Sequence, residues 1–404
     1  MSIAATDDSR QRRNVFLLAM CQALFMSIQA MSTATTPLAG YALLGTDKSL
    51  ATLPLFLMHA GIMVTTIPAS LLMSRIGRRG GFSIGAILGI ASGLVSTYAI
   101  YSRSFPLLSV GAFLQGSAAA FAWYYRFAAT DSAAPAFRAK AISLVMAGGV
   151  LAGLFGPEVA KWAVNWLSPV TFAGVYVVVS VFSLVVLMIV QALSIPRLTT
   201  AERGSGGRPL SVIARQPRFV VALISSMFGY GVMTLVMSAT PLAMLDCGFR
   251  FNDSATVIQA HIVAMFLPAF FTGALINRFG VLNIIIAGAV IQTGCAIINL
   301  AGIGFMNFLI ANILVGLGWN FTYVGGSTLL TSTYEPAERA KTQAAHDFTV
   351  YATTATAAAV AGLLQQRAGW QLVNIATIPL MVMVCTAAVW LALHLKQEAR
   401  RAAQ

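Results

Sequence analysis

Twelve apolar runs of about 20 residues, each ended by a short charged or Gly/Pro-bearing stretch, leave this chain few folds to choose from. In hydrocarbon every backbone N–H and C=O must be satisfied internally, so runs of this length are read as membrane-spanning helices. They fall near 14–38, 50–73, 82–101, 105–128, 140–163, 169–193, 218–244, 254–277, 281–303, 305–331, 340–365 and 371–395. Twelve crossings use roughly 240 positions, and in 404 residues that leaves no sizeable soluble domain. Composition agrees: charged residues make up 9% of the chain, against about 25% in soluble domains. The expected fold is an all-α membrane protein of 12 transmembrane helices. The one long polar interruption, 194–217, carries Pro196, Gly204, Gly206, Gly207 and Pro209. It divides an N-terminal six-helix bundle (1–193) from a C-terminal one (218–404) and reads as a cytoplasmic linker.

The chain has 25 basic and 12 acidic residues, a net charge of +13. In a soluble chain that excess would point to nucleic acid; here it is expected to record orientation, because cytoplasmic loops collect Lys and Arg. With the amino terminus inside, 19 of the 25 basic residues fall on the inner side, 5 on the outer side, and Arg126 within a span. Both termini are therefore expected in the cytoplasm, with membrane lipid and not nucleic acid as the surrounding partner. Arg10, Arg12 and Arg13 lead straight into an apolar run with no small-residue cleavage site, so no cleavable signal is expected. Cys21, Cys247, Cys295 and Cys385 form no CxxC and no close pair, so no disulfide framework or structural zinc site is implied.

The two halves repeat each other. Ser74-Arg75-Ile76-Gly77 matches Asn277-Arg278-Phe279-Gly280 at an offset of 203, and Arg138-Ala139-Lys140 matches Arg339-Ala340-Lys341 at an offset of 201. Over nearly the whole chain this pattern resembles the major facilitator superfamily. Leu72, Arg75, Gly77, Arg78 and Arg79 fit that family's loop motif between its second and third helices, while Ser70 and Ser74 replace its first Gly and its Asp. The resemblance implies two parallel six-helix repeats, with Arg75 and Arg78 in a cytoplasmic gate latch and Asp131 as their ionic partner.

Polar or unusual groups within spans mark a transporter's cargo, because each costs free energy to place there. In this chain they are sulfur and imidazole. Met233 and Met237 lie four apart in the seventh span, His261 and Met265 four apart in the eighth, so each pair shares a helix face. Counted from the outer ends of two antiparallel spans, both pairs sit roughly 10 and 16 Å deep. Three thioethers and one imidazole suit Cu(I) far better than magnesium or calcium, which take oxygen ligands. Packing is the competing explanation. Methionine fills apolar helices readily, and about 0.7 Met-x-x-x-Met pairs are expected by chance in such a chain. His followed four residues later by Met is rarer, on the order of one sequence in a hundred showing it twice. The repeat places Met31, His59 and Met63 on Met233, His261 and Met265, with Thr35 where Met237 would be. This gives a second, incomplete metal group in the first half.

The Met-x-x-x-Met and His-x-x-x-Met pairs together resemble the CcoA-like transporters, a branch of that superfamily. The resemblance implies copper import across the bacterial cytoplasmic (inner) membrane for assembly of cbb-type cytochrome c oxidase, with Met233, Met237, His261 and Met265 as ligands. Copper would then be the transported substrate, with no tightly bound cofactor, a monomeric carrier, and a copper chaperone or copper ATPase downstream. Relatives in the branch are associated with riboflavin, so the alternative is a proton-coupled carrier of a small organic substrate, riboflavin-like or drug.

Remaining candidates concern coupling and gating. Cys247 stands just beyond the seventh span as a further copper ligand or an idle thiol. Glu158 and the adjacent His346 and Asp347 are ionisable groups within spans that can carry a proton. Arg126 either meets an anionic substrate or, near the inner boundary, snorkels to the membrane surface or pairs with Asp131. Gly153–Pro157 resembles the antiporter motif of drug exporters, but the Gly-Gly that follows it there is absent, and Ala112 stands where those exporters carry an arginine. The chain has no HExxH, nucleophile elbow, P-loop or paired catalytic carboxylates, so no enzyme is expected.

Overall fold

A computed structural model describes residues 3–131, 138–195, 207–335 and 338–402. Among them every regular element is a helix. The first half contains α1 (Ile3–Leu43), α2 (Leu53–Tyr101), α3 (Phe105–Ala122), α4 (Tyr125–Asp131), α5 (Arg138–Ala163) and α6 (Ala173–Gln191). The second half contains α7 (Leu210–Ala214), α8 (Pro217–Asp246), α9 (Phe251–Phe266), α10 (Ala269–Phe279), α11 (Val281–Ala301), α12 (Phe305–Leu330), α13 (Arg339–Ile375) and α14 (Thr377–Ala402).

Among the described residues nine helical stretches are long and apolar enough to cross a membrane, ten if the bent pair α9 and α10 is one span. One of the nine, Lys341–Glu398, runs 58 residues. At 1.5 Å per residue it measures about 87 Å, nearly three bilayer cores, so it holds the last two expected spans. It is broken at Gly369 (φ 75°) and at Ala376. The fifth expected span is α5. Span ends differ from the sequence reading where the backbone has a local reason. The second and third expected spans run together as α2 and turn only at Gly77, whose φ of 84° is open to glycine. The fourth divides at Trp123 and Tyr124, where the Tyr124 amide bonds the Phe121 carbonyl at 3.1 Å in a tighter turn.

Gly280 ends α10 with φ 87°, repeating Gly77 at the offset the sequence repeat specifies. Both halves thus turn into their third span on a left-handed glycine.

The chain divides into two compact units, Met1–Glu202 with Phe249–Val263, and Arg203–Gly248 with Ala264–Gln404. In the first, α2 lies along α3 and α6, and α1 along α5; in the second, α11 lies along α12, and α8 along α12 and α13. Most of α9, expected with the second bundle, packs with the first unit. Gln259 Nε2 donates to the Leu154 carbonyl at 2.8 Å, and Ile262 lies against Gly153 of α5.

The linker's described end is fastened within the second unit. Arg208 donates from its backbone N to Glu338 Oε1 at 2.6 Å, from Nε to Oε1 at 2.8 Å and from Nη2 to Oε2 at 2.7 Å. Arg208 Nη2 also reaches the Thr333 carbonyl at 3.1 Å, and the Glu335 amide bonds Glu338 Oε2 at 3.0 Å. The Glu338 side chain is fully enclosed. Hydrogen bonds from Arg208 come first among the causes that hold its carboxyl down at about 2. Residues 196–206 of the expected linker lie outside the described set.

Candidate functional site

The end of α9 and the start of α10, both in the second unit, meet at a break. Pro268 has no amide to donate back along the chain, and α9 and α10 meet there at a 44° bend. Polar backbone freed at such a break needs a partner in an apolar surrounding. Asn320 of α12 supplies it: its Nδ2 donates to the Met265 carbonyl at 2.9 Å, and its Oδ1 accepts from Thr272 Oγ1 at 2.6 Å. One amide therefore ties the end of α9 and the start of α10 to α12.

The helix that carries Asn320 also carries an aromatic cluster. Trp319 and Tyr323 stack with centroids 5.1 Å apart and planes at 13°. Tyr230 of α8 stands edge-on to both, at 5.4 Å from Trp319 and 5.3 Å from Tyr323. Phe266 closes a further side of Trp319 at 6.1 Å, and Tyr351 of α13 lies 6.3 Å from Tyr230. Trp319 Nε1 is enclosed with no hydrogen-bond partner among the described residues, as is Thr234 Oγ1, four residues beyond Tyr230. A buried indole N–H without an acceptor is uncommon.

The expected soft ligands border this cluster. Met233 is three residues from Tyr230 on α8, and Met265 immediately precedes Phe266. Met233 is 4% exposed, Met237 8%, Met265 7% and His261 0%, so none of the four faces lipid. Met233, Met237 and Met265 belong to the second unit, and His261 lies in the stretch of α9 that packs with the first. Among the described residues no group of three or more His, Cys, Asp or Glu could hold a metal, so a metal site here would depend on the thioethers.

The first-half group is dissimilar. Met31 is packed among Ile28, Ala160, Val175 and Val178 in an apolar core cluster. His59 is half-buried and bonds the Leu55 carbonyl through Nδ1 at 2.9 Å; Met63 is half-buried. The first unit instead has a small cavity bordered by Phe25, Gln29, Gln115, Tyr125 and Ser183. Gln115 Nε2 donates to Gln29 Oε1 at 3.0 Å and to Ser32 Oγ at 2.8 Å.

The other candidates spread out. Glu158 is 54% exposed and paired with Lys161 at 2.6 Å, the position of a surface ion pair. Arg78 lies 5.5 Å over the Tyr124 ring, Arg75 is exposed, and Arg79 holds Gln191 Oε1 at 3.0 Å. Arg126 is half-buried on α4, and the side chain of Asp131 lies outside the described residues. Cys247 is exposed at the end of α8, its thiol pushed up by partial burial and by Asp246. His346 is enclosed and bonds Asp347 at 3.0 Å.

The cluster in α8, α12 and α13 escapes a sequence reading because Trp-x-x-x-Tyr in an apolar run looks like packing. A weak signal was present in the dense polar and aromatic stretch Trp319-Asn320-Phe321-Thr322-Tyr323.

A bundle of long apolar helices with enclosed polar and aromatic groups and a broken span defines a polytopic membrane transporter. The chain belongs to the major facilitator superfamily, whose family model matches residues 15–299 and 233–404. It is 37% identical over 381 residues to the riboflavin transporter RfnT of Brucella anthropi, covering 94% of this chain and 96% of that one. It is 25% identical over 370 residues to the uncharacterized MFS-type transporter YddS of Bacillus subtilis, covering 87% and 85%. Among solved structures it resembles a bacterial homolog of the human lysosomal transporter Spinster, with a TM-score of 0.72, 15% identity and coverage of 94% and 96%. It also resembles the transporter FucP, with a TM-score of 0.61, 18% identity and coverage of 93% and 98%. Membership of this family makes the chain a carrier in a membrane and not an enzyme.

Proposed function

We propose that this protein is a secondary carrier that imports a small planar heterocycle of the riboflavin kind, held at the aromatic cluster of the second unit. The observation that carries the reading is Trp319: a ring stacked on Tyr323, flanked by Tyr230 and Phe266, with an enclosed indole N–H lacking an acceptor. Aromatic rings offer about 0.5–1.5 kcal/mol per well-placed pair to a flat ligand, and the N–H selects one that carries a carbonyl. Riboflavin's fused ring system has both features. Support also comes from the 37% identity to a riboflavin transporter across nearly the whole length of both chains.

A second reading, copper import, is favoured by the enclosure of three methionines, Met233, Met237 and Met265, in the second unit. Thioethers suit Cu(I) and hold it weakly enough to release. Inward movement of that charge would gain about 2.3 kcal/mol per 100 mV of membrane potential. On this reading the ion passes to a copper chaperone or copper ATPase and on to cbb-type cytochrome c oxidase. On either reading we place the protein in the bacterial cytoplasmic membrane, monomeric in lipid, with both termini inside.

One experiment separates the two: uptake of radiolabelled riboflavin and of radioactive copper by purified protein in proteoliposomes, with Trp319→Ala, Trp319→Phe, Met233→Ala and His261→Ala beside the wild type. The flavin reading expects riboflavin uptake that falls at least tenfold in Trp319→Ala and is largely kept in Trp319→Phe. Copper uptake that Met233→Ala and His261→Ala abolish, with riboflavin left outside, overturns it in favour of the metal.

A further inference from the structure

We propose that His346 and Asp347 form the proton-binding site that couples this carrier to a proton gradient. The inference rests on the carrier reading above and not on which cargo is carried. Between Thr342 and Gln366 the helix α13 carries only three titratable side chains, His346, Asp347 and Tyr351. Ionisable groups in such a run are costly and are kept where they do work.

The geometry defines a proton acceptor. His346 Nδ1 lies 3.0 Å from Asp347 Oδ1. A carboxylate can only accept, so Nδ1 carries the hydrogen, and in the neutral ring Nε2 presents a lone pair. That Nε2 is enclosed and has no hydrogen-bond partner among the described residues. The imidazole is 1% exposed and the Asp347 side chain 34%, so the pair has a closed end and an open end. One proton binding at Nε2 converts the imidazole to imidazolium, whose charge Asp347 balances; its loss restores the starting pair.

The charged surroundings leave that balance to Asp347. Helices α8 and α13 run parallel in register, marked by Gly231 against Thr353 and by Gln365 on Asp246 at 2.9 Å. That register puts His346 at the level of Ser226, whose enclosed Oγ likewise lacks a partner among the described residues. The titratable or charged residues of α8 are Arg218, Tyr230 and Asp246, roughly 12, 6 and 30 Å along the axis from that level. Helix α7 has none and α11 only Cys295. Helix α14 brings Cys385 and, near its end, Lys396, two arginines and His394, which bonds Glu398 at 3.2 Å. On α13 itself Lys341 precedes the pair by a turn, and Glu338 is taken up by Arg208. Tyr351, five residues beyond His346, lies beside Tyr230 of the aromatic cluster, so the proton site and the cargo site share α13.

The test compares net uptake with exchange in proteoliposomes, using radiolabelled riboflavin in one arm and radioactive copper in the other. An acid-outside gradient of two pH units is expected to raise wild-type accumulation at least fivefold. In His346→Gln and Asp347→Asn that stimulation should vanish while exchange at equal pH stays within twofold. Wild-type uptake indifferent to the gradient, or variants that keep the stimulation, overturns the proposal. A measurement that needs no cargo stands beside it: NMR of 15N-histidine-labelled protein at one pH, the His346 signal being assigned by its loss in His346→Gln. The neutral ring should carry its hydrogen on Nδ1 in the wild type and lose that preference in Asp347→Asn. A wild-type ring with its hydrogen on Nε2, or one that Asp347→Asn leaves unchanged, overturns the proposal. If neither probe exchanges in the wild type, the cargo reading fails while the NMR measurement still decides this one.

Discussion

At the scale of single residues, the Arg208–Glu338 pair gives a signed pH dependence. Glu338 has its carboxyl held from 4.5 down to about 2, with hydrogen bonds from Arg208 the largest cause. A group depressed in the folded state stabilises the fold above its ordinary value and loses that contribution as pH falls toward the lower one. The melting temperature of detergent-purified wild type should therefore exceed that of Glu338→Gln at pH 7, by several degrees, with the gap narrowing below pH 4.5 and closing near 2. A constant gap over that range would assign the difference to packing. Cys247 gives the opposite sign. Partial burial first, then Asp246, push its thiol up, so maleimide labelling should be slow at pH 7 and accelerate through pH 9, and Asp246→Asn should label faster. If the carboxyl-bearing variant and the amide label alike at pH 8, Asp246 does not act on the thiol.

At the scale of elements, the break between α9 and α10 depends on Asn320. Removing its amide takes the Asn320 donor from the Met265 carbonyl, a cost of about 1–3 kcal/mol if that group is left unsatisfied, while the Thr272 hydroxyl keeps the Pro268 carbonyl at 2.8 Å. Asn320→Leu should lower the unfolding midpoint and reduce transport, while Phe321→Leu beside it should do neither to the same degree. Equal effects in both would make Asn320 ordinary packing. The sequence made the spans legible, since runs of 20 apolar residues admit one solution in a membrane, and it made the breaks legible wherever a Gly or Pro marks them. It could not show that residues 249–263 pack with the first unit, because a bond from Gln259 to the Leu154 carbonyl spans 105 residues with no local signature. Asn320 and Trp319 were hidden for a related reason: their partners come from helices distant in the chain. The quartet of soft side chains was legible as enclosed groups on helix faces, but the aromatic cluster beside Met233 and Met265 has no motif.

At the scale of the whole molecule, the sequence repeat is also a backbone repeat. Gly77 and Gly280 stand 203 residues apart with φ of 84° and 87°, each at the same step of its own half. An L side chain at either costs about 1–2 kcal/mol of backbone strain, so Gly280→Ala should depress thermal stability measurably. Unchanged melting would mean that the turn can relax. The proposed orientation is testable on the same scale. Cys247, beyond the end of the seventh span, should react with a membrane-impermeant maleimide in intact cells, whereas a cysteine introduced at Ser205 should react only after lysis. Nothing lies within 4 Å of the position a methyl would take at Gly280, so volume is not what the site forbids. A mirror-image alanine placed there by chemical ligation should keep the turn that its natural enantiomer strains, because a residue of the opposite hand prefers positive φ.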